Sequence, residues 1–265
     1  MKVLPTLLAA SVFMTYASYA ADSAVVETTK PSVYVLDEEN QRLADTYARM
    51  LRYYEQRNFS STRSVRVLMS NYPHHVEPIL YAAFDRYPRH YRHIIKAAID
   101  AEPAFTRDVI SAALNLRVAD PAEIVRIAVE TEPSYAEAIV GTVDEIDPAH
   151  LNEVIRVAVT TEPYTADGIL RANKEAEVGK LESIIQAVLA AAPAVGGYLA
   201  DTISDIIGSA EAEESGEIKQ DQERQRAITL LRSAYNAGGL TKEQLNAIAA
   251  RHELTSQELD SIVNQ

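Results

Sequence analysis

Apolar residues recur along most of the chain in a frame of fifteen. The frame is marked by Pro73, Pro88, Pro103, Pro133, Pro148, Pro163 and Pro193, while Val118 and Val178 stand at two grid points without a proline. Counting each grid residue as position 1, positions 7 and 8 read Ile79 and Leu80, Ile94 and Ile95, Val109 and Ile110, Ile124 and Val125. They continue as Ile139 and Val140, Val154 and Ile155, Ile169 and Leu170, Ile184 and Ile185, Leu199 and Ala200. A weaker unit opening at Asn58 supplies Ser64 and Val65, so ten units cover residues 58–207 without an insertion or deletion. Positions 4, 7, 8, 11 and 12 are apolar, as in Tyr91, Ile94, Ile95, Ala98 and Ile99. That spacing is the stripe of a helix with one buried face, and the alternation a strand requires is missing.

The prolines explain the boundaries. Proline lacks the N–H that a first helical turn leaves unpaired, and it pushes the preceding residue out of the α region. Each one is predicted to end one helix and begin the next across a turn so short that neighbours run antiparallel. Alternate units are more alike than adjacent ones: Ile94 to Ile99, Ile124 to Val129 and Val154 to Val159 share a pattern, and Glu102, Glu132 and Glu162 each precede a proline. The structural repeat is therefore a hairpin of thirty residues, and five of them predict an all-α solenoid of two helical layers. The pattern resembles the helical-hairpin solenoids, such as the tetratricopeptide and HEAT arrays, in architecture only: its period is 30, and no tetratricopeptide signature residue is present.

The flanks complete the organisation. Lys2, an apolar run over residues 3–16, and the small residues Ser18 and Ala20 at the two positions a signal peptidase reads predict a signal peptide over residues 1–20 cut after Ala20. Residues 21–35 are a polar lead expected to be disordered, and residues 36–57 a capping helix with Leu43, Tyr47, Met50, Leu51 and Tyr54 on one face. The solenoid then occupies residues 58–208, an acidic linker residues 209–222, and a small three-helix unit residues 223–265. In that last unit Gly238 and Gly239 end the first helix, and capping boxes at Thr241 with Gln244 and Thr255 with Glu258 start the other two. So short a unit buries little by itself and needs a partner.

Composition narrows the function classes. An exported chain with 0 cysteines has no disulfide, thiolate nucleophile or cysteine-linked lipid. A net charge of −13 argues against nucleic acid as partner. No segment after the signal peptide predicts a membrane span; the most apolar, residues 184–207, is interrupted by Pro193, Gly196, Gly197, Asp201 and Asp205. There is no G-x-S-x-G, phosphate-binding loop, H-E-x-x-H or calcium-loop spacing, so no catalytic residue, metal or cofactor is expected. His74, His75, His90 and His93 fall in two pairs at successive helix starts, which the antiparallel arrangement places roughly 20 Å apart.

Charge is distributed unevenly. Residues 48–107 hold 10 Lys or Arg against 5 Asp or Glu, and residues 108–216 hold 6 against 20. The candidate binding residues are Arg86, Tyr87, Arg89, His90 and Arg92, with Lys96, Arg126 and Arg156 forming a ladder at position 9 of alternate helices. Guanidinium groups pair with acids and aromatic rings stack on sugars. Local pairing of the ladder with Asp100, Glu123, Glu130 and Glu153 is the plainer alternative. The expectation is a periplasmic or secreted scaffold for a protein partner in the cell envelope. Binding of an anionic polysaccharide, or docking of oppositely charged ends into a self-assembled chain, are the other two readings.

Overall fold

The computed structural model describes residues 34–208 and 217–263. The predicted signal peptide, most of the polar lead and the first part of the acidic linker lie outside the described residues. Fourteen α-helices follow one another, with no strand among the described residues. They are α1 Glu38–Gln56, α2 Ser61–Asn71, α3 Val76–Arg86, α4 Tyr91–Ala101, α5 Thr106–Asn115, α6 Pro121–Thr131 and α7 Ala136–Ile146. The second half comprises α8 Leu151–Thr161, α9 Thr165–Ala172, α10 Val178–Ala191, α11 Gly196–Gly208, α12 Glu217–Asn236, α13 Lys242–Arg251 and α14 Ser256–Val263.

Each frame of fifteen is one helix, from α2 to α11. Helices pack more extensively on their second neighbours than on their first. Two layers result: α2, α4, α6, α8, α10 and α12 in one, and α1, α3, α5, α7, α9, α11 and α13 in the other. The stripe residues form the core between them: Ile79, Leu80, Ile94, Ile95, Ile124, Val125, Val154 and Ile155 are all fully buried. Burying such a side chain contributes about 1.5–3 kcal/mol. The all-α repeat solenoid is the observed fold.

The junctions differ from the expected hairpin turns. The residue before each proline of the fifteen-residue frame has an extended backbone, as at Glu132 (φ −145°, ψ 82°), and still closes the preceding helix through its N–H. Its carbonyl then accepts from the residue three positions on, as in Tyr135 N to Glu132 O at 3.2 Å. At six of the seven frame prolines, all but Pro163, the proline thus opens a single turn of 3₁₀ helix before the α-helix begins. One extended residue cannot reverse the chain, so the axes of Val178–Ala191 and Pro193–Gly208 are turned by 109° rather than running antiparallel. Where the proline is missing at Val118, α5 ends instead on Arg117 in the left-handed region (φ 49°), with Val118 N bonded to Ala113 O.

Buried hydroxyls are satisfied locally: Ser64, Thr106, Thr142 and Thr165 each donate to a backbone carbonyl of the preceding turn. At the N-terminal end Tyr34, placed by its sequence in the polar lead, packs onto the array and donates to Glu77. Burial and that carboxylate push its phenol up to about 12.

The C-terminal helices find their partner in the array. Helix α12 starts at Glu217, inside the stretch read as linker, and packs on α10 and α11, while α13 packs on α11. Ala227, Ile228, Leu230, Leu231 and Leu245 join the same core as the repeats. Polar ties run alongside: Gln186 to Ser233 at 3.1 Å, Arg251 to Ser204 at 3.0 Å and Gln244 to the Gly197 carbonyl at 3.1 Å. The closest approach is at two glycines, since a Cβ on Gly196 would lie 2.2 Å from the Gly239 carbonyl oxygen. Both expected capping boxes are present, at Thr241 with Gln244 and at Thr255 with Glu258.

No single helix among the described residues is long and apolar enough to cross a membrane. The apolar length of α10 and α11 is used inside the protein, where Leu181, Ile184, Ile185, Leu199, Ile203 and Ile207 are buried.

Two measurements probe this docking. Gly196→Ala should destabilise the protein by about 1–3 kcal/mol in urea unfolding, because the new methyl meets rigid backbone. Gly197→Ala, whose Cβ meets only the end of Gln244 at 3.5 Å, should be neutral or stabilising. Glu258 is held down to about 2 by hydrogen bonds from Arg224 and Thr255, against an ordinary value of 4.5. A depressed carboxylate stabilises the folded state above pH 4.5 and loses that contribution as pH falls through about 2. Amide exchange in α14 should therefore rise over that window ahead of α8, and Glu258→Gln should abolish the pH dependence.

Candidate functional site

The predicted binding residues are separated by their partners. Arg86 of α3 pairs with Glu55 of α1, which raises its pKa, and Arg92 of α4 pairs with Glu123 of α6. Lys96 lies 3.8 Å from Asp100, which also takes Arg66 of α2 at 3.3 Å. Arg126 is held between Glu123 at 2.5 Å and Glu130 at 2.6 Å, and those hydrogen bonds raise its pKa. Three of the four local pairs expected for the ladder are thus formed. Arg156 is the exception: its Nε donates to the Asn152 carbonyl at 3.2 Å, and no acid pairs with it among the described residues. It lines a 420 Å³ depression with Arg126, Glu153, Val157, Thr160 and Thr161.

Acid–base pairs between second-neighbour helices extend over both layers. Arg107 of α5 meets Glu145 of α7 at 2.5 Å, and Arg171 of α9 meets Asp205 of α11 at 3.6 Å. A further pair joins the layers, Lys180 of α10 with Asp144 of α7 at 2.5 Å. Within α9, burial opposes ionisation of Asp167, yet hydrogen bonds from Thr202 and Arg171 leave its pKa below the ordinary value. Exposed pairs of this kind contribute about 0–1 kcal/mol each, so they mark register more than they supply stability.

Among the cations without an acidic partner, three belong to a patch at the N-terminal end, on the edge where α2 and α4 begin. Tyr87 stacks on His90 with centroids 6.0 Å apart, and His90 Nδ1 lies 3.0 Å from the hydroxyl of Ser61, the first residue of α2. That contact brings the start of α2 beside the start of α4. Shortly before Ser61, Phe59 stacks on Tyr54 at 5.4 Å and carries Arg63 over its face at 3.9 Å. Arg57 lies 5.0 Å over Tyr53, which is 51% exposed. Arg57, Arg63 and Arg89 have no acidic partner among the described residues, and His90, His93 and Arg89 are exposed.

The structure therefore brings Tyr87, Arg89 and His90 together with Tyr53, Arg57, Phe59 and Arg63, which were not among the candidates read from the sequence. A signal for them exists: in both Tyr53 with Arg57 and Phe59 with Arg63 the arginine follows the aromatic residue by four positions, close to one turn of helix. The remaining candidates, Lys96, Arg126 and Arg156, belong to the outer face of α4, α6 and α8.

The other histidine pair is elsewhere. His75 Nδ1 shares a 2.5 Å hydrogen bond with the Tyr47 hydroxyl and its ring stacks on Tyr72, while His74 meets the Phe105 ring edge-on at 5.3 Å. Among the described residues, no three histidine, cysteine or carboxylate side chains are grouped so as to hold a metal ion.

A second concavity lies further along the array, where α7 and α9 begin. It encloses 550 Å³ and is lined by Ser134, Glu137, Glu162, Tyr164, Thr165 and Gly168, among others. Tyr164 on its rim is 82% exposed. Neither Glu137 nor Glu162 has a cationic partner among the described residues.

No protein-family model matches the chain, and neither a curated protein nor a solved structure is significantly similar to it.

Because Arg63 and Arg89 support no acid–base pair, Arg63→Ala and Arg89→Ala should each shift the unfolding midpoint by no more than the equivalent of about 0.5 kcal/mol. Arg126→Ala, which releases Glu130 and leaves Glu123 to Arg92 alone, should cost more than either; thermal unfolding followed by circular dichroism makes the comparison.

Proposed function

We propose that the chain is an exported helical-repeat scaffold whose N-terminal edge docks an acidic protein partner in the cell envelope. The supporting observation is the contrast in neutralisation. Arg66, Arg86, Arg92, Arg107 and Arg126 all have acidic partners from their own chain. Arg57, Arg63 and Arg89 are left over at one edge, among aromatic rings that hold two of them in place. A guanidinium held over a ring loses less freedom on binding than a free one, and its planar donors suit a carboxylate. Rigid stacked helices keep those donors at fixed positions.

Export is inferred from the pattern of residues 1–20, which ends in Ala17, Ser18, Tyr19 and Ala20. On this reading the chain is a binding protein and not an enzyme. A second reading, recognition of an anionic envelope polysaccharide by the same edge, draws on the exposed ring of Tyr53, a surface of the kind on which sugars stack.

The test is a photo-reactive residue placed at position 89, or at position 201 as control, in intact producing cells. A protein adduct specific to position 89, lost on Arg57→Gln with Arg63→Gln, is expected. Equal adducts at both positions would overturn the docking edge. Salt-sensitive retention on an acidic polysaccharide, without any protein adduct, would favour the second reading.

A further inference from the structure

We infer that the partner of the basic edge is a second copy of the chain, which presents the acidic groove at the starts of α7 and α9. This rests on the reading of the N-terminal edge as a docking surface and names what docks there.

The groove carries the complementary set of features. Several carboxylates are used within the chain: Glu55, Asp100, Glu123, Asp144, Glu145 and Asp205 each meet an Arg or Lys. Glu137 and Glu162 line a 550 Å³ concavity without such a partner among the described residues. The concavity stays open in part because residue 168 is a glycine: a Cβ there would lie 3.2 Å from Glu137 Oε2. Tyr164, 82% exposed on the rim, offers a ring face to an incoming guanidinium. The basic edge supplies those guanidiniums on Arg57, Arg63 and Arg89, together with its own exposed ring, Tyr53.

The two surfaces cannot meet within one chain. One lies where α2 and α4 begin, and the other where α7 and α9 begin, several helices further along a stack built on a continuous core. Surfaces held apart on one stack satisfy each other only between copies. The contact is heterologous, so each copy uses its basic edge on one neighbour and its groove on the next. Chains of copies follow. A contact dominated by exposed charges weakens as salt shortens the screening length from about 10 Å at 0.1 M to about 3 Å at 1 M.

Sedimentation velocity on the full chain tests the inference with two neutralised variants. One carries Arg57→Gln, Arg63→Gln and Arg89→Gln, leaving only the groove; the other carries Glu137→Gln and Glu162→Gln, leaving only the basic edge. Circular dichroism first establishes that both retain the parent's unfolding midpoint. The parent chain should form species larger than a dimer as concentration rises and lose them at high salt. Each variant alone should be monomeric, and an equimolar mixture should stop at a dimer, since one intact contact remains per pair. A parent chain that is monomeric at every concentration overturns the inference, as do variants that assemble like the parent. If such a monomer still gives an adduct from position 89 with a different protein, the inference fails while the docking edge stands. If no adduct forms there at all, both fail.

Discussion

A helix of eleven residues does not hold together in water. Its first turn must be fixed before any hydrogen bond rewards it, and isolated helices shorter than about 12–15 residues are marginal even in favourable sequences. Seven of the helices here, from α2 to α8, are ten or eleven residues long. Each persists only because positions 7, 8, 11 and 12 are covered by the helices before and after it in its own layer and by the other layer. The requirement is reciprocal, and it makes stacking the condition for having helices at all. It also explains the caps: α1, nineteen residues long, covers α3 at one end, and α12, twenty residues long, covers α10 at the other.

Packing and charge have different parts in this arrangement. The fully buried isoleucines and valines, each contributing about 1.5–3 kcal/mol, supply the cohesion. The surface pairs, at about 0–1 kcal/mol apiece, are too weak to do so. Their consistent placement between second neighbours, as in Arg92 with Glu123 and Arg107 with Glu145, instead matches the register in which the helices stack. Their functional consequence is subtraction: they neutralise five of the ten cations of residues 48–107 and leave Arg57, Arg63 and Arg89 among those that remain available. The proposed docking edge gathers three of the cations that the array leaves unpaired.

The glycines at 196 and 239 show how the end of the array is made specific. Nothing in the composition of α12 to α14 distinguishes an independent unit from a cap. The backbone contact between Gly196 and Gly239, with Leu189 packed where a Cβ on Gly239 would sit, fastens the last three helices to α10 and α11. A tail too small to bury its own apolar face thereby shares the core of the repeats.

The number of helices in the array, their boundaries and their buried faces were legible in the sequence, because each depends on residues within one frame of fifteen. A proline acts on its immediate neighbours, and a stripe such as Ile94, Ile95, Ala98 and Ile99 lies on a single helix. The 109° turn between α10 and α11 was not legible, since it follows from how one extended residue and a 3₁₀ turn combine in space. Nor was the edge that joins Phe59, Arg63 and Arg57 to His90 and Arg89. The stacking of α2 on α4 brings residues about thirty positions apart to one surface, and no local pattern records which of them will find a counter-charge there. Local physics determined the parts; long-range packing decided which charges remained free.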